Sequence, residues 1–277
     1  MKILHERVAV ITGAASGFGR EFALACAREG MRLVLSDVDE GGLRATDELL
    51  KPSGTQTLLV KCNVAEAAEV EALAEQTYAR FGVAHLLFNN AGVAASGPIW
   101  TATAEDWQWV LGVNLMGVVH GIRSFVPRML AQKDACHIVN TASAAGLISV
   151  PGASVYGVSK HGVVTLSESL HHELRLVQAA IGVSVLCPAF VNTGIADSAR
   201  NRPIELAPSN PQAGPFAQRV RKALASAQMS AADIARITLD AVKADRFYIV
   251  THEATKAAVE MRLRDILDAR TPTNPMP

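Results

Sequence analysis

Short apolar runs alternate with longer stretches of helical periodicity from the first residues of the chain. The apolar runs are RVAVITG, MRLVLSD, TLLVKCN, AHLLFNN, CHIVNTAS, GVSVLCP and RFYIVTH. Between them, FGREFALACAREG, AAEVEALAEQTYARFG, the long AEDWQWVLGVNLMGVVHGIRSFVPRML and VYGVSKHGVVTLSESLHHELRLV repeat their apolar positions every three to four residues. A strand followed by a crossover helix must return to the same side of a sheet, so such repeats predict a parallel sheet covered on both faces. The expected fold is a doubly wound α/β sheet of about seven strands, a single domain over 1–277.

Two helix starts fix the register. Thr103 with Asp106, and Ser230 with Asp233, have capping-box spacing ahead of apolar-periodic segments. One segment breaks the alternation: AFVNTGIADSARNRPIELAPSNPQAGP, where Pro203, Pro208, Pro211 and Pro215 forbid a long regular element. A long irregular stretch in a compact domain is usually functional, and 188–215 is expected to be a substrate loop or lid. Residues 271–277 are expected to form a flexible tail.

Composition narrows the partner. The 26 basic and 26 acidic residues cancel, and no run of like charge offers a surface for nucleic acid or an anionic membrane. No uninterrupted apolar stretch nears the roughly 18 residues of a membrane helix, and the first residues lack a leader's apolar region, so a cytoplasmic protein is expected. Cys26, Cys62, Cys136 and Cys187 lie far apart inside apolar segments, which favours reduced core thiols over disulfides or a metal site. His171 and His172 are adjacent, hence on different helix faces, and poorly placed to share a metal. No metal is expected, and the partner is a small molecule or another copy of the chain.

The candidate chemistry begins in SVYGVSKHG. Residues four apart share a helix face, so Tyr156 and Lys160 can hold a phenol hydroxyl beside an ammonium group. At the other end, the first strand runs into TGAASGFGR, where Gly13, Gly17 and Gly19 let backbone amides and a helix N-terminus approach a pyrophosphate. Tight strand-to-helix packing without a ligand is the competing reading. Asp37 ends the second strand, where a carboxylate can accept from ribose hydroxyls and repel a 2′-phosphate, and no arginine follows it in SDVDE. The competing reading there is that Asp37 or Asp39 caps the second helix.

Taken in order, these residues resemble the short-chain dehydrogenase/reductase family in its single-domain subgroup, over nearly the whole chain. TGAASGFG resembles that family's T-G-x-x-x-G-x-G turn and carries Gly13, Ser16, Gly17, Phe18 and Gly19. NNAG, with Asn90, Ala91 and Gly92, resembles its marker after strand four. GVNLMG supplies Asn114, IVNTASAAG supplies Ser143, YGVSK supplies Tyr156 and Lys160, and CPAFVNTGI supplies Pro188, Ala189, Val191 and Thr193.

The resemblance implies a Rossmann-type fold, a nicotinamide cofactor, and hydride transfer between it and a secondary alcohol or ketone, with NAD expected ahead of NADP. In that reading Tyr156 is the general base in oxidation and the acid in reduction. Lys160 lowers the phenol's pKa and holds the nicotinamide ribose, as Tyr156 also touches the cofactor. Ser143 binds the substrate oxygen, and Asn114 holds a relay water. Asn63 stands where the family usually has an aspartate at the adenine, with Val64 beside it. Ala189 stands where it usually has glycine.

The expected substrate wall is small or apolar: Ala95, Ala145, Leu147, Ile148, Pro188 and Phe190, with Ser143 and Tyr156 at its inner end. Arg200 and Arg202 are read either as solvated or as meeting a substrate carboxylate. Trp107 and Trp109, two positions apart, cannot both face inward. The resemblance further implies a homodimer or homotetramer. A carbonyl reductase using NADPH is the alternative enzyme; a non-catalytic dinucleotide sensor on this fold is expected to have lost the tyrosine, lysine or serine, and all three are present.

Overall fold

Each apolar run forms a strand of one sheet: β1 (Val8–Thr12), β2 (Arg32–Asp37), β3 (Thr57–Lys61), β4 (Leu86–Asn89), β5 (Cys136–Thr141), β6 (Ile181–Cys187) and β7 (Tyr248–Val250). The structure is a computed structural model, and it describes residues 1–207 and 213–275. All neighbouring strands pair in parallel, in the order β3-β2-β1-β4-β5-β6-β7. Successive crossovers step one way from β1 to β3, then return past β1 to β4 and step the other way. The carboxyl ends of β1 and β4 therefore flank a crevice that no crossover covers, the place where such sheets bind ligands.

The central strands are apolar throughout, not alternating, because helices cover both faces. On one face α1 (Gly17–Arg28), α2 (Glu40–Leu50) and α8 (Ala231–Lys243) bury Phe22, Leu43 and Ile234 against Ile11, Leu33 and Phe88. Phe22 stacks on Phe88 with ring centroids 4.5 Å apart. On the other face α3 (Ala67–Phe81), α5 (Gly117–Gln132) and α6 (Ser154–Leu176) bury Leu73, Phe125 and Leu170 against Val8, Val34 and Ile138. All four cysteines are buried and free.

The expected long fourth crossover helix is interrupted. It comprises α4 (Ala104–Leu111), one π turn (Gly112–Met116) and α5. Taken as one helix, Ala104–Gln132 is long and apolar enough to cross a membrane by length and composition, but 56% of its most apolar window is buried inside the protein. Both capping boxes form, at Thr103 for α4 and at Ser230 for α8.

Beyond β6 the chain makes two 3-10 segments, Gly194–Asn201 and Ile204–Leu206, before α7 (Gly214–Ala225). Pro203 precedes the second of these and Pro215 sits in the first turn of α7, where a missing N–H leaves no bond unmade. Pro208 and Pro211 lie outside the described residues. The chain closes with α9 (Glu253–Leu267), and the Thr273 amide folds back to donate to the Asp265 carboxylate at 2.8 Å.

Candidate active site

The strand ends at the crevice are tied together before any side chain reaches into it. Thr12 Oγ1, at the end of β1, donates to the Phe88 carbonyl and accepts from the Asn90 and Ala91 amides at 2.9 and 3.1 Å. The Asn90 side-chain amide donates to the Thr12 carbonyl at 2.9 Å, so this asparagine braces β1 against β4. Gly13 follows at φ +70°, and a Cβ there would stand 2.8 Å from the Ala91 Cα. Only glycine permits that approach. Gly19 is buried and faces away from the cavity: a Cβ on it would overlap the Gly13 carbonyl, so it closes the turn. Ser16 precedes α1 with its hydroxyl unused as a cap, and Gly17 opens the helix at φ +53°.

Asp37 braces the same turn. One carboxylate oxygen accepts from the Ala15 amide and the other from the Asp39 amide, both at 3.0 Å. Burial pushes its pKa up, and those two backbone hydrogen bonds oppose the rise. Asp39 is the residue that caps α2, accepting from the Gly42 amide, so Asp37 is left to face the cavity. Asn63 accepts from the Ala65 amide at 3.1 Å and lines the cavity beside Val64.

That cavity, about 950 Å³, runs from Asp37 and the glycine turn, past Asn90, Ala91 and Gly92, to Ser143, Tyr156 and Lys160. Of the sequence-derived cofactor residues, Gly13, Ser16, Gly17, Phe18, Pro188, Ala189, Val191 and Thr193 also line it. An elongated ligand with an anionic centre and hydroxyls near one end fits these donors and acceptors, which is the chemistry of a dinucleotide.

The inner end is assembled from three elements. β5 delivers Ser143, whose Oγ accepts from the Ala145 amide and donates to the Pro188 carbonyl at 3.4 Å. The first two turns of α6 present Tyr156 and Lys160, as their four-residue spacing requires. Lys160 Nζ donates to the Thr141 carbonyl at 2.8 Å and stands 5.6 Å from the centre of the Tyr156 ring. Burial pushes the Tyr156 phenol up, with a hydrogen bond from Ser143 working the other way, and burial lowers Lys160 to about 8. Within the chain itself, enclosure thus raises the phenol that Lys160 was expected to lower, and Ser143 supplies the opposing pull.

Asn114 reaches this end through the π turn, which adds a residue to one turn and aims it inward. Its Oδ1 accepts from the Val93 amide at 2.8 Å, and its Nδ2 donates to the Val93 carbonyl and to Ser159 Oγ at 2.9 and 3.0 Å. Both amide protons are committed, while one acceptor position remains.

The expected substrate residues divide. Ser143, Tyr156 and Pro188 line the cavity; Ala95, Ala145, Leu147 and Phe190 do not. Ala145 and Ile148 are buried, Leu147 packs on the core near Val163, and Ala95 packs with Val93 and Trp109. Phe190 is 36% exposed. In their place, Val93, Trp109, Ile195, Leu206 and Leu224 supply the apolar wall. Of the tryptophan pair, Trp109 is buried and Trp107 half-buried.

Side chains hold the insert in place. Arg202 Nη1 pairs with Asp106 Oδ1 at 2.6 Å, both nearly inaccessible, and its guanidinium lies over the Trp109 ring at 5.0 Å. Its Nε donates to the Leu206 carbonyl at 2.8 Å. Ser198 Oγ accepts from the Ala94 amide at 3.0 Å. The Ala189 amide donates to His252 Nδ1 at 3.3 Å, and burial lowers the His252 pKa, in keeping with a neutral acceptor ring. None of these pairings had a sequence signal, since each joins segments far apart in the chain.

The chain belongs to the short chain dehydrogenase family, whose model matches residues 7–203. It is 34% identical over 277 residues to a CLA biosynthesis dehydrogenase/reductase of Lactiplantibacillus plantarum, covering 98% of this chain and 97% of the relative. It is 32% identical over 267 residues to 1-deoxy-11-beta-hydroxypentalenate dehydrogenase of Streptomyces exfoliatus, covering 96% and 88%. A short chain dehydrogenase/reductase from Burkholderia phymatum, crystallised in complex with NAD, superimposes with a TM-score of 0.97 at 48% identity over 100% of both chains. The protein is an oxidoreductase of that family, on a seven-stranded Rossmann-like sheet.

Proposed function

We propose that the protein transfers a hydride between NAD and a secondary alcohol or ketone on an apolar small molecule, with Tyr156 carrying the proton. One observation supports this most: Ser143, Tyr156 and Lys160 meet at the inner end of the same cavity whose outer end holds the glycine turn and Asp37. The similar B. phymatum protein binds NAD, and the Asp37 carboxylate at the cavity wall disfavours a 2′-phosphate.

When bound, the nicotinamide supplies or accepts the hydride. Ser143 Oγ holds the substrate oxygen. Tyr156 gives its proton to that oxygen in reduction and takes one from it in oxidation. A phenol raised by burial is protonated at neutral pH, ready for reduction, so oxidation should gain speed as pH rises. Lys160, held by the Thr141 carbonyl, keeps a positive charge beside the ring below about pH 8. Asn114 fixes the Val93 backbone and keeps one acceptor lone pair for a relay water.

The apolar substrate end, with Val93, Trp109, Ile195, Leu206 and Leu224, favours a hydrocarbon body over a sugar. The name of the S. exfoliatus relative describes dehydrogenation of a hydroxylated compound, which supports an alcohol here. A homodimer or homotetramer fits the partly exposed Met116 and Leu130 on the α4–α5 helix.

The test is NADH formation from aliphatic, alicyclic and benzylic secondary alcohols, run in parallel with NAD and NADP. Turnover with NAD at a higher kcat/KM than with NADP is the expected result. A preference for NADP would overturn the reading of Asp37, and tight NADH binding with silence across the panel would overturn the substrate class.

A further inference from the structure

Arg200 and Arg202 both arise in the insert, yet the structure gives them opposite surroundings. Arg202 is buried on Asp106 and Trp109, its charge neutralised. Arg200 lines the cavity and is exposed to it. Its Nη1 donates to two neutral acceptors, the Gly194 carbonyl at 3.1 Å and the Asp197 carbonyl at 3.0 Å. Its Nη2 points at Ser16 Oγ, 3.5 Å away, at the start of α1. The nearest acid in sequence does not neutralise it: the Asp197 carboxylate turns to Arg221 on α7 at 2.9 Å. Among the described residues Arg200 has no carboxylate within ion-pair distance.

The other cations lining the cavity are elsewhere. Lys61 pairs with Glu40 at 3.1 Å, and Lys160 is buried against the Thr141 carbonyl beside Tyr156. The insert meets the glycine turn at a second point as well, since a Cβ on Gly17 would lie 3.6 Å from the Thr193 Cβ. A fixed, unneutralised guanidinium therefore stands where the cavity is lined by Ser16 and Gly17 and by the first amides of α1. The glycine turn supplies N–H donors and a partial positive charge there, but no full charge.

Resting on the dinucleotide reading of this cavity, we propose that Arg200 is a cofactor-binding residue that pairs with the cofactor's diphosphate from the insert side, opposite the glycine turn. A guanidinium forms charge-assisted, fork-shaped hydrogen bonds with phosphate oxygens, and its two carbonyl contacts hold the fork in place beforehand. The insert then contributes to cofactor affinity through one side chain, while Arg202 keeps its structural place against Trp109.

The experiment measures dissociation constants of NADH, ADP and adenosine by calorimetry for wild type, Arg200→Gln and Arg200→Lys, at low and high salt, with melting curves to confirm folding. Arg200→Gln should weaken NADH and ADP about tenfold at low salt and leave adenosine unchanged. It should also flatten the salt dependence of ADP binding, and Arg200→Lys should recover part of the loss. Unchanged ADP and NADH binding in Arg200→Gln, or an equal loss for adenosine, would overturn the proposal. So would a rise in alcohol KM with NADH binding unaltered, which would assign the arginine to substrate. Failure of wild type to bind NADH or ADP would instead count against the dinucleotide reading itself.

Discussion

The two long walls of the cavity are held in different ways. At the glycine turn, Thr12 Oγ1 and the Asp37 carboxylate bind backbone groups of the adjoining strand ends and of the turn before α1, and Gly19 packs directly on the Gly13 backbone, so the wall is locked through the main chain. In the insert, position depends on a few side chains reaching across the chain: Arg202 on Asp106, Ser198 on Ala94, and Asp197 on Arg221. A wall locked by backbone tolerates almost no change in shape. A wall pinned by side chains can be re-cut by substitution without moving the sheet, so one wall of the cavity keeps its shape while the other is free to vary.

The sharpest way to break that contrast is to add a methyl to each wall. Gly19→Ala forces a Cβ into the Gly13 carbonyl and should destabilise the protein by on the order of 3 kcal/mol or more in urea unfolding. Gly194→Ala, in the cavity-lining insert, brings a Cβ only to ordinary contact with the Arg200 guanidinium, at 3.5 Å, and should change stability by less than about 0.5 kcal/mol. Equal effects would abolish the distinction.

Next in size is the insert's buried ion pair. Asp106→Asn leaves the Arg202 charge buried without its anion, a loss of roughly 3 kcal/mol. The amide can still accept the Thr103 N–H that caps α4. Substrate KM should rise about tenfold, with a smaller change in NADH affinity. A larger effect on NADH than on substrate would show that the walls act as one unit.

The last effect, seen only as a dependence on pH, concerns Lys160, where the two walls meet. Its folded pKa, about 8, is below the ordinary lysine value of 10.5, so the folded state binds this proton more weakly than the unfolded chain does. Below pH 8 both states hold the proton and its burial counts fully against folding; as pH rises from 8 toward 10.5 the folded state sheds it first, and stability gained from this group rises. The melting temperature of Lys160→Met, relative to wild type, should be highest below pH 8 and fall as pH rises through that window. A difference independent of pH would contradict the buried charge.

Much of this was legible in the sequence because it depends on local rules. Glycines at a strand-to-helix turn, Asp37 at a strand end, and Tyr156 four residues before Lys160 each occupy places set by the chain nearby, and the structure gathers them on one cavity. The apolar wall proposed for the substrate was not legible in that way. Phe190 looked apolar enough to face a ligand but does not line the cavity, while Trp109 and Leu206 pack together where Arg202 ties α4 to the insert across 96 positions. The π turn that aims Asn114 inward has no periodic signature, since one extra residue in a turn leaves an apolar helix looking like an apolar helix. The raised Tyr156 phenol depends on enclosure by three elements, which spacing alone does not report.

The most direct test of the central claim, that the cofactor wall and the proton carrier are separable parts of one site, is Tyr156→Phe assayed for alcohol oxidation and NADH binding on the same preparation. Removing the hydroxyl takes away the proposed proton carrier and leaves the ring, so turnover should fall roughly 10²- to 10⁴-fold while the NADH dissociation constant stays within about twofold of wild type. Turnover close to wild type would contradict the role given to Tyr156, and loss of NADH binding in step with turnover would contradict the separation of the two.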